Sequence, residues 1–430
     1  MNRSVPSPSD EPRSEESAGL ELPGLTECLP AIRSRFESYG VFGLLLIDVD
    51  VAADIEHRHG DAARRGALAS LAGALREVGR ERLEVDDLIV AGELGRNEIL
   101  VLLFREGRDA RFYRQELPGF EQTLRKRLEQ HGHRVFYPYL RSLPELPSGS
   151  AMRIRNPRYG IEAQVRRAIE EAREDARLSR LIRARRHRES FLEVLLDRRI
   201  SSVYEPIVEV STRTVFGYEA LARGPKGTGF YSPLALFSTA EREDLVFELD
   251  CLCRASGLHG AIDFPSGTKL FLNILPTTIH DPAFRAERLI KTLEQCELSP
   301  QDVVFEISEQ ESIENFQAFR EMRDYYRNLG FRFALDDTGS GYAGLETLLE
   351  ISPEFIKVDR AFVSGVDQDP ARQEMLQALQ TVAQKTGAQI VGEGLDTLEE
   401  LETLGRLGIQ FGQGWLFGRP TPLRAEEHSG

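Results

Sequence analysis

The chain lacks an apolar run approaching the ~20 residues needed to cross a bilayer. Its longest, such as Val41 to Ile47, are short and end in acids. Met1 to Ser17 is polar and rich in Pro, Ser and Glu, with no apolar signal core. No membrane association is expected, and a cytoplasmic location is. Cysteine is scarce, with only Cys28, Cys251, Cys253 and Cys296, and no CxxC pair among them. Zinc and redox motifs therefore lack support, and a reduced protein is the simplest reading. The eight histidines form no HExxH-like cluster. Basic charge is also short: 54 Lys plus Arg stand against 69 Asp plus Glu, for a net charge of −15. That argues against sequence-independent binding to a nucleic-acid polymer, which needs a basic face. It leaves room for a phosphate ligand where metal ions offset the acids.

What is present is a globular composition: 41% hydrophobic and 29% charged over 430 residues. At the usual ~100–200 residues per domain, two or three domains are expected. Residues 1–24 read as a disordered tail. A small α/β sandwich is expected over residues 30–178. Its elements are a strand at Gly40 to Asp50, one helix at Ala53 to Val78, and a hairpin within Leu88 to Phe104 around ELGRN. A helix at Asp109 to Gln130, a strand at His133 to Leu140 and a helix at Ile161 to Ala176 follow. Helical composition continues from Ala163 to Arg188, crowded with both charge signs. It reads as a solvated connecting helix or, more sharply, a basic docking site. Residues 179–197 are assigned as a helical linker and 198–424 as a second domain.

In that second region strand-like runs recur, mostly alternating with helices. They are VYEPIVEV, VFGYEALAR, KLFLNILP, DVVFEISE, FRFALDD, FIKVD, QIVGEG and FGQGWLFG. Eight such runs in about 220 residues suggest a TIM-type barrel. Only STRT joins the first two, so that pair is expected to be antiparallel, a departure from the regular barrel.

The polar residues fall at the ends of these runs. Glu219, Asn273, Glu306, Asp336, Asp337 and Glu393 do so, with Lys357 closing FIKVD and Gln413 in the last run. In a barrel, the C-terminal strand ends share one face, where catalytic groups converge. Carboxylate and amide oxygens are hard ligands suited to Mg²⁺ or Mn²⁺. Such a set repels itself without cations. Two divalent ions would offset most of it and leave room for a phosphate, the logic of a two-metal phosphodiesterase. Lys357 would then stabilise developing charge or orient water. One acid at a strand end is ordinarily solvated or salt-bridged, but eight polar strand ends in register are far less ordinary. A barrel enzyme of enolase type is the other metal-dependent reading.

These residues carry a resemblance. EALAR, LNILP, FEISE, LDDTGSG, IKVDR, GEGLDT and QGWLFGRP look like the motifs of the EAL domain, the cyclic-di-GMP phosphodiesterase family, from about Ser201 to Pro422. The resemblance implies Glu219, Asn273, Glu306, Asp336 and Asp337 as metal ligands. It implies Lys357 and Glu393 as groups that position or activate water. Glu309 would hold the loop after the Asp pair, Arg223 would contact a substrate phosphate, and Gln413 would help hold substrate or the metal–water shell. It further implies hydrolysis of cyclic-di-GMP to linear pGpG and a homodimer through this domain. The alternative is a non-catalytic cyclic-di-GMP receptor signalling to an unidentified protein partner. Three positions depart from the pattern: Glu205 replaces an amide, Thr338 a phenylalanine, and Asp396 a glutamate.

The first region resembles a GGDEF domain, of diguanylate cyclase fold, with its hallmark altered to Gly95-Arg96-Asn97-Glu98-Ile99. Arg96 stands where a glycine allows close approach of nucleotide, and Asn97 where active members carry a carboxylate. Asp48 remains as the other metal position. The upstream RxxD motif is absent. The resemblance thus implies a catalytically inactive domain that binds nucleotide, dimerises or only spaces.

Overall fold

The computed structural model describes residues 22–423, apart from 81, 94–95, 107–110, 137–138, 141–145, 263, 282–283, 309–315 and 340–343. The chain divides into two compact units, one up to Arg186 and one from His187.

In the first unit, β1 (Gly40–Asp48), β2 (Leu88–Ala91), β3 (Glu98–Glu106) and β4 (Ser148–Ile154) form one antiparallel sheet in the order β2-β3-β1-β4. Side chains alternate across it. Val41, Leu45 and Ile47 join Ile99, Val101 and Leu103 on one face. They pack against α2 (Val51–His59), α3 (Asp61–Gly79) and α4 (Leu117–Phe136), through residues such as Ile55, Leu71 and Phe120. Phe42, Leu44 and Leu46 face the other way, onto α1 (Leu25–Tyr39) and α5 (Ile161–Leu196). Burial on both faces explains why these strands read as continuous apolar runs.

Two expectations need correction here. The helix expected over Ala53 to Val78 is two helices, broken at Gly60, whose φ of 85° suits glycine. The strand expected at His133 to Leu140 is absent: the chain is helical through Phe136, which lies on the same buried face as Phe120 and Leu124. The fourth strand is instead Ser148–Ile154, whose small residues carry little hydrophobic signal. Gly149 is required there, because a Cβ would lie 2.1 Å from the Ala172 carbonyl oxygen of α5. The expected linker is the continuation of α5 itself, which runs unbroken to Leu196. Of the expected tail, residues 1–21 lie outside the described residues, whereas Pro23 accepts a hydrogen bond from Ala91 N on β2 (2.9 Å).

The second unit is a closed eight-stranded barrel. Its strands are β5 (Ser201–Glu209), β6 (Val215–Arg223), β7 (Lys269–Asn273), β8 (Val303–Ser308), β9 (Arg332–Thr338), β10 (Phe355–Val358), β11 (Gln389–Gly392) and β12 (Phe411–Gln413). β5 runs antiparallel to both of its neighbours, β6 and β12, and the other pairs are parallel. Helices α6 (Pro233–Glu243) and α7 (Val246–His259) follow β6, and α8 (Ala286–Gln295) follows β7. Beyond them lie α9 (Phe316–Asn328), α10 (Gly344–Ile351), α11 (Arg360–Val363), α12 (Pro370–Thr386) and α13 (Leu398–Arg406). Local signals set their ends: Asp369 caps α12 ahead of Pro370, and Thr397 and Glu400 form a capping box on α13.

One interior layer fills the barrel: Ile207, Phe271, Val304, Ala334, Phe355, Val391 and Phe411. Phe216 stacks on Phe411 with ring centroids 4.1 Å apart. Each fully buried phenylalanine here contributes about 1.5–3 kcal/mol through burial. Strand residues two apart share a face. The residue two positions beyond Phe271 is Asn273, and from the other parallel strands the same step reaches Glu306, Asp336, Lys357, Glu393 and Gln413. The polar ring therefore sits one layer above the apolar floor.

Candidate active site

The barrel brings most of the candidate residues to one mouth. Lys357 is its hub, 1% exposed. Its ammonium Nζ lies 3.0 Å from Glu219 Oε2, 3.0 Å from Glu306 Oε1, 3.2 Å from Asp336 Oδ1 and 2.8 Å from Glu393 Oε1. Asn273 Nδ2 donates to Glu219 Oε1 and Glu306 Oε2, each at 3.2 Å. Gln413 Nε2 donates to Glu219 Oε2 at 2.7 Å.

Asp337 reaches the mouth by a backbone irregularity. Adjacent strand residues normally face opposite ways. Here Ile356 pairs with Leu335 and Val358 with Thr338, so two residues of β9 stand opposite Lys357 alone. Asp337 adopts φ 55°, a left-handed conformation costly for a residue with a Cβ. The bulge turns the second carboxylate toward the first. As a result, Asp336, Asp337 and Glu393 converge within 4.8 Å of one another, and Glu219, Glu306 and Asp336 do the same. The two triads share Asp336.

One ammonium cannot neutralise this set. Burial pushes Glu306 well above its usual carboxylate range, and the nearby Glu219 charge adds to the rise, against the pull of Lys357. Burial likewise drives Glu393 well up and raises Asp336, in both cases against Lys357. Glu219 goes the other way. Burial still pushes its carboxyl up, but Lys357 and the hydrogen bonds from Gln413, Lys357 and Asn273 outweigh it. Lys357 is raised well above an ordinary lysine, because four carboxylates overcome its desolvation.

Cations suit this arrangement. Glu306 Oε1 is buried and accepts no well-aligned hydrogen bond despite its nearness to the ammonium, and Gln413 Oε1 is buried without a partner. Free hard oxygens around two acid triads are what a pair of divalent ions would complete.

Glu205, the acid that replaces an amide of the family pattern, is a further member of the ring. Its carboxylate accepts from Gln413 Nε2 at 3.2 Å, and burial raises it, with the Glu219 charge adding. The signal lay in β5 running backwards. From the interior Ile207 the polar layer is reached by stepping two residues toward the N-terminus. Among the described residues Arg223 forms no ion pair with the carboxylates; its Nη1 donates to the Ala222 carbonyl at 2.8 Å. Glu309 lies outside the described residues. Thr338 is buried, with its hydroxyl unpartnered, and Asp396 receives a hydrogen bond from Arg360 Nη2 at 2.5 Å.

A closed barrel with this ring of acids defines a class of barrel proteins with an acidic mouth, and the family follows from comparison. Residues 188–420, just over half the chain, match the EAL domain, and the chain belongs to that family. Two relatives from Escherichia coli K12 are named probable cyclic di-GMP phosphodiesterases PdeG and PdeA. They are 30% identical over 223 and 214 residues, covering 50% and 48% of this chain and 44% and 29% of theirs. The chain thus spans less than half the length of these relatives. Among solved structures, the Xanthomonas citri FimX EAL domain in complex with c-diGMP superposes with a TM-score of 0.51 at 20% identity. That match covers 57% of this chain and 97% of the other, and it shows the shared fold. Among the described residues, no helix is long and apolar enough to cross a membrane.

Proposed function

We propose that the barrel unit is a divalent-metal-dependent phosphodiesterase that opens cyclic-di-GMP to linear pGpG. The observation that carries this reading is the pair of acid triads sharing Asp336 around one lysine. Glu219, Asn273, Glu306, Asp336 and Asp337 would hold Mg²⁺ or Mn²⁺. The ions would supply Lewis acidity at the phosphoryl oxygens and a more acidic water.

The chain's own groups do the remainder. Arg223 and Gln413 bind and orient the substrate. Glu393 accepts a proton from the attacking water at its carboxylate oxygen. The new P–O bond forms as the P–O3′ bond breaks, and the leaving 3′-oxygen takes a proton from solvent. The Lys357 ammonium faces the charge that develops on the phosphoryl group. The apolar layer of Phe271, Phe355 and Phe411 keeps water out from below.

We read the first unit as a GGDEF-like domain without cyclase activity, regulatory or dimerising in role. Arg96 occupies the signature turn. Glu98 is gripped by Arg173 through two hydrogen bonds of 2.7 and 2.8 Å. The same reading includes a homodimer through the barrel unit.

The test is incubation of the purified protein with cyclic-di-GMP and Mg²⁺ or Mn²⁺, with pGpG followed by chromatography beside a Glu219→Ala control. Turnover lost in the control supports the enzyme. Tight binding without turnover in either metal would replace it with a receptor.

A further inference from the structure

Helix α5 carries an apolar face that the first unit leaves uncovered. Ala168, Ala172 and Ala176 lie on its buried side, in the core under the sheet. Leu178 follows Ala176 by two residues, and at about 100° per residue that turns it to the opposite side. Leu178, Leu181 and Ile182 are 56%, 58% and 43% exposed. They are three of the seven large apolar side chains exposed among the first unit's described residues, and they fall within five positions. Single exposed apolar residues are ordinary, whereas a contiguous patch marks a contact surface.

The charges beside the patch say what fits it. Residues four apart form a ridge along a helix. The ridge through this patch is Glu174, Leu178, Ile182 and Arg186, all exposed. It reads acid, apolar, apolar, base. Turned end for end, that order meets its own complement: Glu174 faces Arg186 of a second copy, and Leu178 faces Ile182. The twofold axis passes level with Arg180, which lies two residues from Leu178 and from Ile182 and so leaves the helix on the far side. No like charges therefore meet at the centre. A parallel arrangement would set Glu174 against Glu174 and Arg186 against Arg186. Helices packed ridge on ridge cross at about 50°, which confines the contact to about three turns.

We propose that this face of α5 is a docking surface for the same face of a second copy of the chain, with the two helices antiparallel. One patch then serves both copies, as a twofold contact requires. Its size suits a weak, salt-sensitive association rather than a permanent one. The contact is separate from any pairing through the barrel unit, and it stands whether or not the barrel hydrolyses cyclic-di-GMP.

The test uses the full chain with Leu181→Cys, which sits beside the ridge and leaves its four residues intact. A short bismaleimide is expected to join two copies into a covalent dimer, well above the background of the parent chain, whose cysteines lie elsewhere. Glu174→Arg or Arg186→Glu, added singly, should cut the cross-linking yield by at least about fivefold, because each sets like charges together at both ends of the contact. The two reversals combined should restore it. No cross-link above background would overturn the proposal. So would a yield indifferent to the single reversals, which a parallel pair or a dimer held elsewhere would give, and so would failure of the combined reversals to restore it. Sedimentation of the chain with phosphatidylserine vesicles, in the absence of cross-linking, would assign the face to a membrane surface instead.

Discussion

The two units place acids at strand ends in contrasting ways. In the first, Asp48 and Glu98 stand opposite each other where β1 and β3 pair. Arg173 then satisfies Glu98, and Asp48 accepts a hydrogen bond from Asp50 N at 3.0 Å. In the second, five acids and Glu205 crowd one lysine. Both convergent acid triads found among the described residues lie in the barrel. The contrast teaches that the count of acids matters less than whether the protein itself balances them. Glu98 is matched by its arginine, whereas the ring sets several carboxylates against one ammonium, an excess that cations would balance.

The sharpest way to break this contrast is to remove one acid from each unit. Glu219→Ala is expected to cut hydrolysis of cyclic-di-GMP by at least about 100-fold, as loss of a metal-site or oxyanion-stabilising group does. Asp48→Asn should leave the rate within the same order of magnitude, because Asp48 belongs to the other compact unit. Equal losses in both variants would erase the distinction.

The next largest effect concerns the hub. In EDTA, Lys357→Met should destabilise the barrel by about 3–5 kcal/mol, the cost of breaking a buried ion pair. Urea unfolding reads this directly. Mn²⁺ should recover much of the loss, since cations take over the balancing charge. A variant as stable as the parent in EDTA would mean that the acids do not need their lysine.

A third effect is pH dependence. Glu306, Glu393 and Asp336 are raised in the fold, so the folded state keeps protons that the unfolded chain has already released. Metal-free stability should therefore fall as pH rises above the unfolded carboxylate range of about 4–4.5. Glu219, which is lowered, works the other way but is outnumbered. The melting-temperature gain from Mn²⁺ should grow from about pH 5 to about pH 8. A gain that shrinks over that window would contradict the ring's charge imbalance.

The smallest effect is at Glu205. Replacing it with Gln removes a like charge beside Glu219 and keeps an acceptor for Gln413. Mn²⁺ affinity should change by only about fivefold, or ~1 kcal/mol, measured by calorimetric titration. The direction expected is weaker Mn²⁺ binding, because attraction from the acid is lost.

The barrel was legible because its strands repeat a simple arrangement, an apolar residue inside and a polar one two positions on. Phe271 with Asn273 and Phe355 with Lys357 announce that pattern in the bare chain. The remainder depended on geometry that periodicity does not encode. Asp337 shares a face with Asp336 only through a bulge and a left-handed residue. Glu205 belongs to the ring only because β5 runs backwards. Arg223 sits at the end of the right strand, yet its guanidinium folds onto its own backbone. In the first unit, Ser148–Ile154 escaped notice because small residues give a strand no hydrophobic signature, and the more apolar stretch through Phe136 belonged to an amphipathic helix. The family motifs identified the barrel, while the first unit offers only an altered turn at Gly95-Arg96-Asn97-Glu98-Ile99.

The packed floor beneath the ring has a kinetic corollary. With Phe271, Phe355 and Phe411 filling the layer beneath it, the acid ring is closed from below among the described residues. Under the proposed activity, substrate and product would share the opposite face. Product departure would then pace turnover.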